Sequence, residues 1–193
     1  MLLITGGLGY IGSHFTVVAL QAGYEVIVLD NLSNSHAGVK DKVEQITQKK
    51  LHFIEGDIRD EGLLDGIFKR YAIEVVVHFA GLKAVAESVA QPILYYDNNV
   101  SGSLNLLKAM QNNKVNKIIF SSSATVYGAP KYFPYDEQHP TNPINPYGYT
   151  KLHVEHVLHD VCASDEAFAA ITLRYFNPIG AHPSGLIGEN PKD

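Results

Sequence analysis

Short apolar runs and longer amphipathic stretches alternate along the whole chain. Residues 2–5, 25–30, 51–57, 74–79, 117–122 and 169–174 read as strands. Val75-Val76-Val77 and Ile118-Ile119-Phe120 show no polar alternation, as expected of strands covered on both faces of a parallel sheet. Residues 10–22, 39–48, 60–71, 92–112 and 146–163 carry helical patterns. The last of these has a clear start, with Asn145 suited to the N-cap and Pro146 to the first helical position. Its apolar stripe is Leu152, Val154, Val157, Leu158 and Val161. Strands alternating with helices predict an α/β fold with a doubly wound parallel sheet. Residues 129–146 hold Pro130, Pro134, Pro140, Pro143 and Pro146 and read as an ordered surface loop; a domain linker is the weaker reading.

Composition narrows the picture. The 193 residues are 46% hydrophobic and 18% charged, enough for one domain with a substantial core. The net charge is −5 and no Lys/Arg block stands out, which argues against a nucleic-acid surface. The single cysteine, Cys162, excludes an internal disulfide framework and fits a reducing, cytoplasmic setting. It lies in a helical pattern and reads as a small core residue. The first five residues lack the basic start and long apolar core of a signal peptide. No run approaches 18 apolar residues, so no membrane association is expected.

The first strand runs into Gly6-Gly7-Leu8-Gly9-Tyr10-Ile11-Gly12, a Gly6-x-x-Gly9-x-x-Gly12 repeat at the start of a helix. Glycines here permit a tight turn, close approach of a pyrophosphate, and close helix–strand packing. The helix N-terminus offers N–H groups and a positive dipole end to phosphate. Asp30 ends the second strand about 20 residues later, where a carboxylate accepts from both ribose hydroxyls of NAD and repels a 2′-phosphate. The plain alternative is a glycine turn followed by an unrelated acid. Asp57-Ile58 at the third strand's end fits an adenine edge and face, and fits a helix N-cap equally well. His78-Phe79-Ala80-Gly81 ends the fourth strand with small residues that suit either close approach of a ligand or a bare turn. Ser121-Ser122-Ser123 leaves hydroxyls at the carboxyl edge of the sheet, where open α/β folds bind ligands, although three serines also suit a loop.

Tyr147 and Lys151 stand four apart on the predicted helix and so share a face. An ammonium about 4 Å from the phenol, at an effective dielectric near 20, supplies roughly 4 kcal/mol, or about three pKa units before desolvation is charged against it. That would bring a phenol near neutrality, where a general base works best. Taken alone, such a pair more often marks an exposed helix face. His153, His156 and His159 recur every three residues; the outer two lie about 240° apart around the helix and do not converge on one ion. They read as solvated or packed residues, and no metal is expected.

Together, Gly6–Gly12, Asp30, Ser121–Ser123 with Ala124-Thr125-Val126-Tyr127-Gly128, and Tyr147 with Lys151 resemble the extended short-chain dehydrogenase/reductase family. The resemblance runs from residue 2 to the end in one register. It is strongest to the family's nucleotide-sugar epimerases, through residues 30–35, 79–85, 121–128 and 174–185. It implies a Rossmann-type NAD-binding domain over residues 1–176 and, over residues 177–193, only the start of a second, smaller substrate domain. It also implies tightly held NAD and a UDP-sugar substrate, with UDP-glucose and UDP-galactose interconverted through a 4-keto intermediate. By the same resemblance, Tyr147 is the base, Lys151 lowers its pKa and holds the nicotinamide ribose, and Ser123 bonds the sugar oxygen. Tyr10, Ile11, Asp30, Asn31, Leu32, Ser33, Asn34, Ser35, Asp57, Ile58, Phe79, Ala80, Gly81, Leu82, Lys83, Asn98 and Phe176 line the NAD site with the glycines, while Asn177 opens the substrate site and Lys83 serves both.

Tyr149 departs from the family, which usually carries Lys or Arg there; Tyr147 remains the base because Tyr149 has His153 at i+4. Ala124 and Thr125 stand where dehydratase relatives carry an Asp-Glu pair, so simple epimerization is the implied reaction. Family members continue well past residue 193, so the implied state is a C-terminally truncated chain or fragment. The competing expectations are an impaired NAD-binding fragment or non-catalytic dinucleotide-binding module, and an epimerase or dehydrogenase of another UDP-sugar such as UDP-N-acetylhexosamine or UDP-glucuronate. The family also implies a possible homodimer through the helices at 92–112 and 146–163.

Overall fold

The computed structural model describes residues 1–190. Six parallel strands form one sheet in the order β3-β2-β1-β4-β5-β6. They are β1 (Leu2–Thr5), β2 (Val26–Asp30), β3 (His52–Glu55), β4 (Val75–His78), β5 (Lys117–Ser123) and β6 (Ala169–Tyr175). Helices α1 (Tyr10–Gln21), α2 (Gly38–Thr47) and α3 (Glu61–Arg70) connect the first four strands, and α7 (Pro146–Ser164) precedes β6. All five residues of β2 are buried, as an apolar run in a central strand should be. Each fully buried Val, Leu or Ile contributes about 1.5–3 kcal/mol. One core, with Leu3, Leu106, Met110 and Leu158, fills the α3–α6–α7 side; a second, with Ile4, Val17, Val28 and Val43, fills the α1–α2 side. The doubly wound expectation holds, and the chain order reverses between β1 and β4, which places a crevice at their carboxyl ends.

Two departures matter for the site. The stretch expected as one helix over 92–112 is three segments: α5 (Pro92–Tyr95), a π-helical turn (Tyr96–Ser101) and α6 (Gly102–Asn112). The wider π turn falls where Asn98 and Asn99 are buried mid-helix, and amides compete with helix backbone for hydrogen bonds. A short helix that the pattern did not predict, α4 (Val85–Ala90), precedes it. Six residues hold too little periodicity to announce a helix.

The stretch at 129–146 is a surface loop, as expected. After β6 the chain returns over the sheet's carboxyl edge, held by a bridge between Ala181 and Gly188 and by burial of Ile187 in the second core. The last three residues of the predicted 177–193 segment lie outside the described residues. Among the described residues, no helix is long and apolar enough to cross a membrane.

Candidate active site

A cleft of about 550 Å³ opens along the carboxyl edge of the sheet. Its first wall is the β1–α1 turn. Gly6 has φ +68°, and a Cβ there would lie 2.6 Å from the Ala80 amide nitrogen. A Cβ on Gly12 would lie 2.2 Å from the Gly6 carbonyl oxygen. Both glycines therefore exist for close backbone approach. Gly9 forms the N-cap of α1 without a side-chain cap, and the first turn carries no acid. Gly9, Tyr10, Ile11 and Gly12 line the cleft, so an uncapped, positive helix end faces it.

Asp30 lies beside this turn, only 7% exposed. Its carboxylate accepts from the Leu8 amide at 3.0 Å, the Leu32 amide at 2.9 Å and the Ser35 hydroxyl at 2.8 Å. Asn31, Ser33, Asn34 and Ser35 line the same wall, with Ile58 opposite. An uncapped helix end and a fixed carboxylate lining the same cleft suit an adenine dinucleotide.

Three residues expected at the cleft do not line it. Leu32, at φ 58°, packs its side chain with the second core and turns its amide to Asp30. Asp57 lies beyond β3, which ends at Glu55, and binds Asn31 at 2.9 Å and Arg59. The Arg59 guanidinium holds the Asp57 carboxyl down at about 2 and joins it to Asp97 at 2.8 Å. Leu82 contributes backbone: its N–H donates to Asn99 Oδ1 at 2.8 Å and its carbonyl accepts from Asn99 Nδ2 at 2.9 Å. Phe79, Ala80, Gly81, Lys83 and Asn98 do line the cleft, and Lys83 pairs with Glu189 at 2.9 Å across it.

The opposite end gathers Ser123, Tyr147, Lys151, Phe176 and Asn177. Asn145 caps α7 by accepting from the Gly148 amide at 2.9 Å, and Pro146 occupies the first turn. The Tyr147 amide donates to the Ser88 hydroxyl on α4 at 3.2 Å. Thr150 donates to the Tyr147 carbonyl at 2.7 Å and accepts from Asn99 at 3.1 Å. The π turn, the loop after β4 and the first turn of α7 are thus locked by one amide.

Lys151 Nζ lies 5.9 Å from the Tyr147 ring centroid, 5.0 Å from the Phe120 ring, and donates to the Ser121 carbonyl at 2.8 Å. Burial pushes the Tyr147 phenol up from its ordinary value, and a hydrogen bond with Ser123 pulls it back. The same burial brings Lys151 down to about 8, opposed by the charge of Glu155. Desolvation disfavours both charged forms, and helical spacing says nothing about it.

Beneath lies His78, 1% exposed and held down at about 3 by burial and then by the Lys151 charge. Ser103 donates to the Asn99 carbonyl at 2.5 Å, so its oxygen accepts from His78 Nε2 at 2.8 Å. Nδ1 then accepts from the Thr5 hydroxyl at 2.7 Å, which assigns a neutral Nε2–H tautomer. His153, His156 and His159 lie on exposed helix; His153 stacks on Tyr96 at 5.7 Å and His159 meets Asp160 at 3.2 Å. No group of acids, histidines or cysteines suited to a metal occurs among the described residues.

Sequence reasoning missed Asn99, Glu155 and Glu189. The Asn98-Asn99 pair inside an apolar helical stretch was a visible signal for the first. Glu155, four residues beyond Lys151, was a visible signal for the second.

A glycine-cradled helix end, a buried acid beside it and a Tyr–Lys–Ser group in one cleft are the arrangement of a dinucleotide-binding α/β domain. The chain belongs to the NAD dependent epimerase/dehydratase family, whose model matches residues 2–190. It is 54% identical over 192 residues to UDP-glucose 4-epimerase of Dictyostelium discoideum, covering all of this chain and 56% of that protein. It is 54% identical over 190 residues to the Bacillus subtilis UDP-glucose 4-epimerase, covering 98% of this chain and again 56% of the relative. A crystal structure of the Bifidobacterium longum UDP-glucose 4-epimerase in complex with NAD+ and UDP superposes with TM-score 0.97 at 52% identity, covering all of this chain and 58% of that one. The chain thus spans a little over half the length of these relatives.

Proposed function

We propose that this chain is the NAD-binding and catalytic part of a UDP-glucose 4-epimerase, with residues 177–193 opening the part that grips the UDP-sugar. One observation carries the reading: Tyr147, Ser123 and Lys151 converge at the end of a cleft whose other end is a glycine-cradled helix N-terminus. The similarity to NAD-bound epimerases supports it.

The residues present fit NAD. The α1 N-terminus would take the pyrophosphate, Asp30 the adenosine ribose, and Lys151 the nicotinamide ribose. When bound, NAD supplies an acceptor for hydride from the sugar's C4 and returns it to the other face of the 4-keto sugar. The chain's own residues handle orientation and the proton. Ser123 and Tyr147 would both bond the sugar's 4-oxygen. Tyr147 takes the 4-hydroxyl proton as C4 is oxidised and gives it back as C4 is reduced.

Burial holds the phenol above its ordinary range, so positive charge must favour its ionised form. The Lys151 ammonium, 5.9 Å from the Tyr147 ring centroid, has the sign to do so. Thr125, which donates to Ser123 Oγ at 3.0 Å, and Ala124 bring no acid or base for dehydration. A homodimer through α5–α6 and α7, and a cytoplasmic setting consistent with one free cysteine, belong to the same reading.

Incubation of the purified chain with UDP-galactose and no added cofactor tests it. UDP-glucose is the expected product. Bound NAD without product favours a binding-only part, and absence of both overturns the reading.

A further inference from the structure

Behind the Tyr147–Lys151–Ser123 group lies a largely buried ion pair, its Arg174 side chain 23% exposed, that the proton transfer does not use. The Glu155 side chain is 9% exposed. It stands one helical turn beyond Lys151 on α7, on the same face. Its Oε1 accepts from the Ser122 hydroxyl at 2.5 Å and from Arg174 Nε at 3.1 Å, and its Oε2 accepts from Arg174 Nη2 at 2.7 Å. Ser122 and Arg174 are register partners on β5 and β6, and the next pair, Ser123 and Tyr175, lines the cleft. The Arg174 guanidinium also lies 4.9 Å from the Tyr127 ring centroid.

A buried ion pair is a poor way to fasten a helix to a sheet, since apolar side chains of like volume do as well or better. The position of this one, against the strand end that bears Ser123 and next in line to Lys151, gives it another use. We propose that Glu155 is a positioning residue of the active site: its carboxylate fixes the Ser122–Ser123 strand end against α7 and supplies the negative charge that keeps the buried Lys151 ammonium charged. The proposal rests on the reading of Lys151 as the site's cation.

Other titratable groups around Lys151 do not replace Glu155. On α7, Tyr147 is an uncharged phenol pushed up by burial. On β4, His78 is neutral. On β6, Tyr175 is pushed up by burial, and Arg174 is a cation that draws on the Glu155 charge. Glu87 of α4 is bonded to Tyr95 at 2.7 Å. Glu155 and Arg174 therefore act on Lys151 with opposite signs.

That opposition gives the test. In the full chain labelled with 15N at lysine Nζ, the Lys151 signal is identified by its loss in Lys151→Met and followed by NMR from pH 6 to 11. E155Q should lower its titration midpoint by about one unit or more, and R174Q should raise it. E155Q/R174Q should fall between the two, and it serves with R174Q if E155Q does not fold. Ser122→Ala, which removes a hydrogen bond but no charge, should leave the midpoint unmoved. A Lys151 midpoint unchanged in E155Q would reduce Glu155 to a structural fastener and overturn the proposal; where E155Q does not fold, a midpoint in E155Q/R174Q no lower than in R174Q would do the same. NAD titration of the unaltered chain is read separately: failure to bind NAD would sink the functional reading, whereas the Lys151 midpoints bear on Glu155 alone.

Discussion

The two ends of the cleft are built on different principles. The β1–β2 end relies on backbone: glycines with no room for a Cβ, an uncapped helix terminus, and a carboxylate held by two amides and a hydroxyl. Its glycines, helix end and carboxylate lie within the first 35 residues, closed against Ala80 of the loop after β4. The β5–α7 end relies on side chains from elements far apart in sequence: Ser123 and Lys151, buried; Tyr147, Glu155 and Arg174, partly buried; and, beneath them, the buried His78. The first end is a shape that a local stretch of chain makes for itself. The second is an electrostatic arrangement in which each group's charge state depends on its neighbours. A change at the first end should therefore act on affinity, and a change at the second on turnover and its pH dependence.

The largest separation is expected from Tyr147→Phe. Removing the hydroxyl takes away the proton carrier, so UDP-galactose turnover should fall by about 10²–10⁴-fold. NAD affinity by titration calorimetry should stay within about threefold. A variant that kept most of its turnover would break the comparison at its main point.

Gly12→Ala should do the reverse. Its Cβ would sit 2.2 Å from the Gly6 carbonyl, and relieving that overlap costs about 1–3 kcal/mol. NAD affinity and the thermal midpoint should both drop, while the Lys151 titration midpoint stays where it was. Asp30→Ala should act more narrowly, lowering the preference for NAD over NADP by about tenfold, as read from paired binding titrations.

The remaining effect concerns acid stability. His78 is held near 3 in the folded chain against 6.5 for a free imidazole, so between those values the unfolded chain binds more protons. Stability should then rise with pH across that window, by at most about 1.4 kcal/mol per unit, and be lost as pH falls through it. His78→Gln, which keeps polar contacts without titrating, should flatten that slope in urea titrations at pH 4 and pH 6. Lys151 has the same sign: with a folded value of about 8, it leaves more protons on the unfolded chain from there to 10.5. Stability gains over that range, while a function that needs the ammonium declines above pH 8.

How much was legible in the sequence follows the same division. The glycine repeat, Asp30 and the alternation of strands and helices follow from spacing within one or two elements; the glycines and Asp30 line the cleft and the sheet is doubly wound. Spacing put Tyr147 and Lys151 on one helix face and Ser121–Ser123 at a strand end, but the family resemblance singled out Tyr147, Lys151 and Ser123 as a set; all three line the cleft. Their energetics were not legible. Helical spacing suggested an ammonium near 4 Å that lowers a phenol, whereas burial raises Tyr147 and draws Lys151 onto the Ser121 carbonyl. The third strand ends at Glu55, two residues before the end its pattern suggested, which leaves Asp57 in the following loop. The π turn escaped because periodicity cannot distinguish it from α-helix, although Asn98-Asn99 marked the spot.

The measurement that bears most directly on the account is a crystal structure of this chain with NAD and a UDP-hexose. The account predicts the pyrophosphate at the Gly9–Gly12 helix end, Tyr147 Oη and Ser123 Oγ each about 2.6–3.2 Å from the sugar's O4, and the sugar's C4 about 3–3.5 Å from the reactive nicotinamide carbon. A dinucleotide seated elsewhere, or a nicotinamide ring turned away from Tyr147, would contradict it.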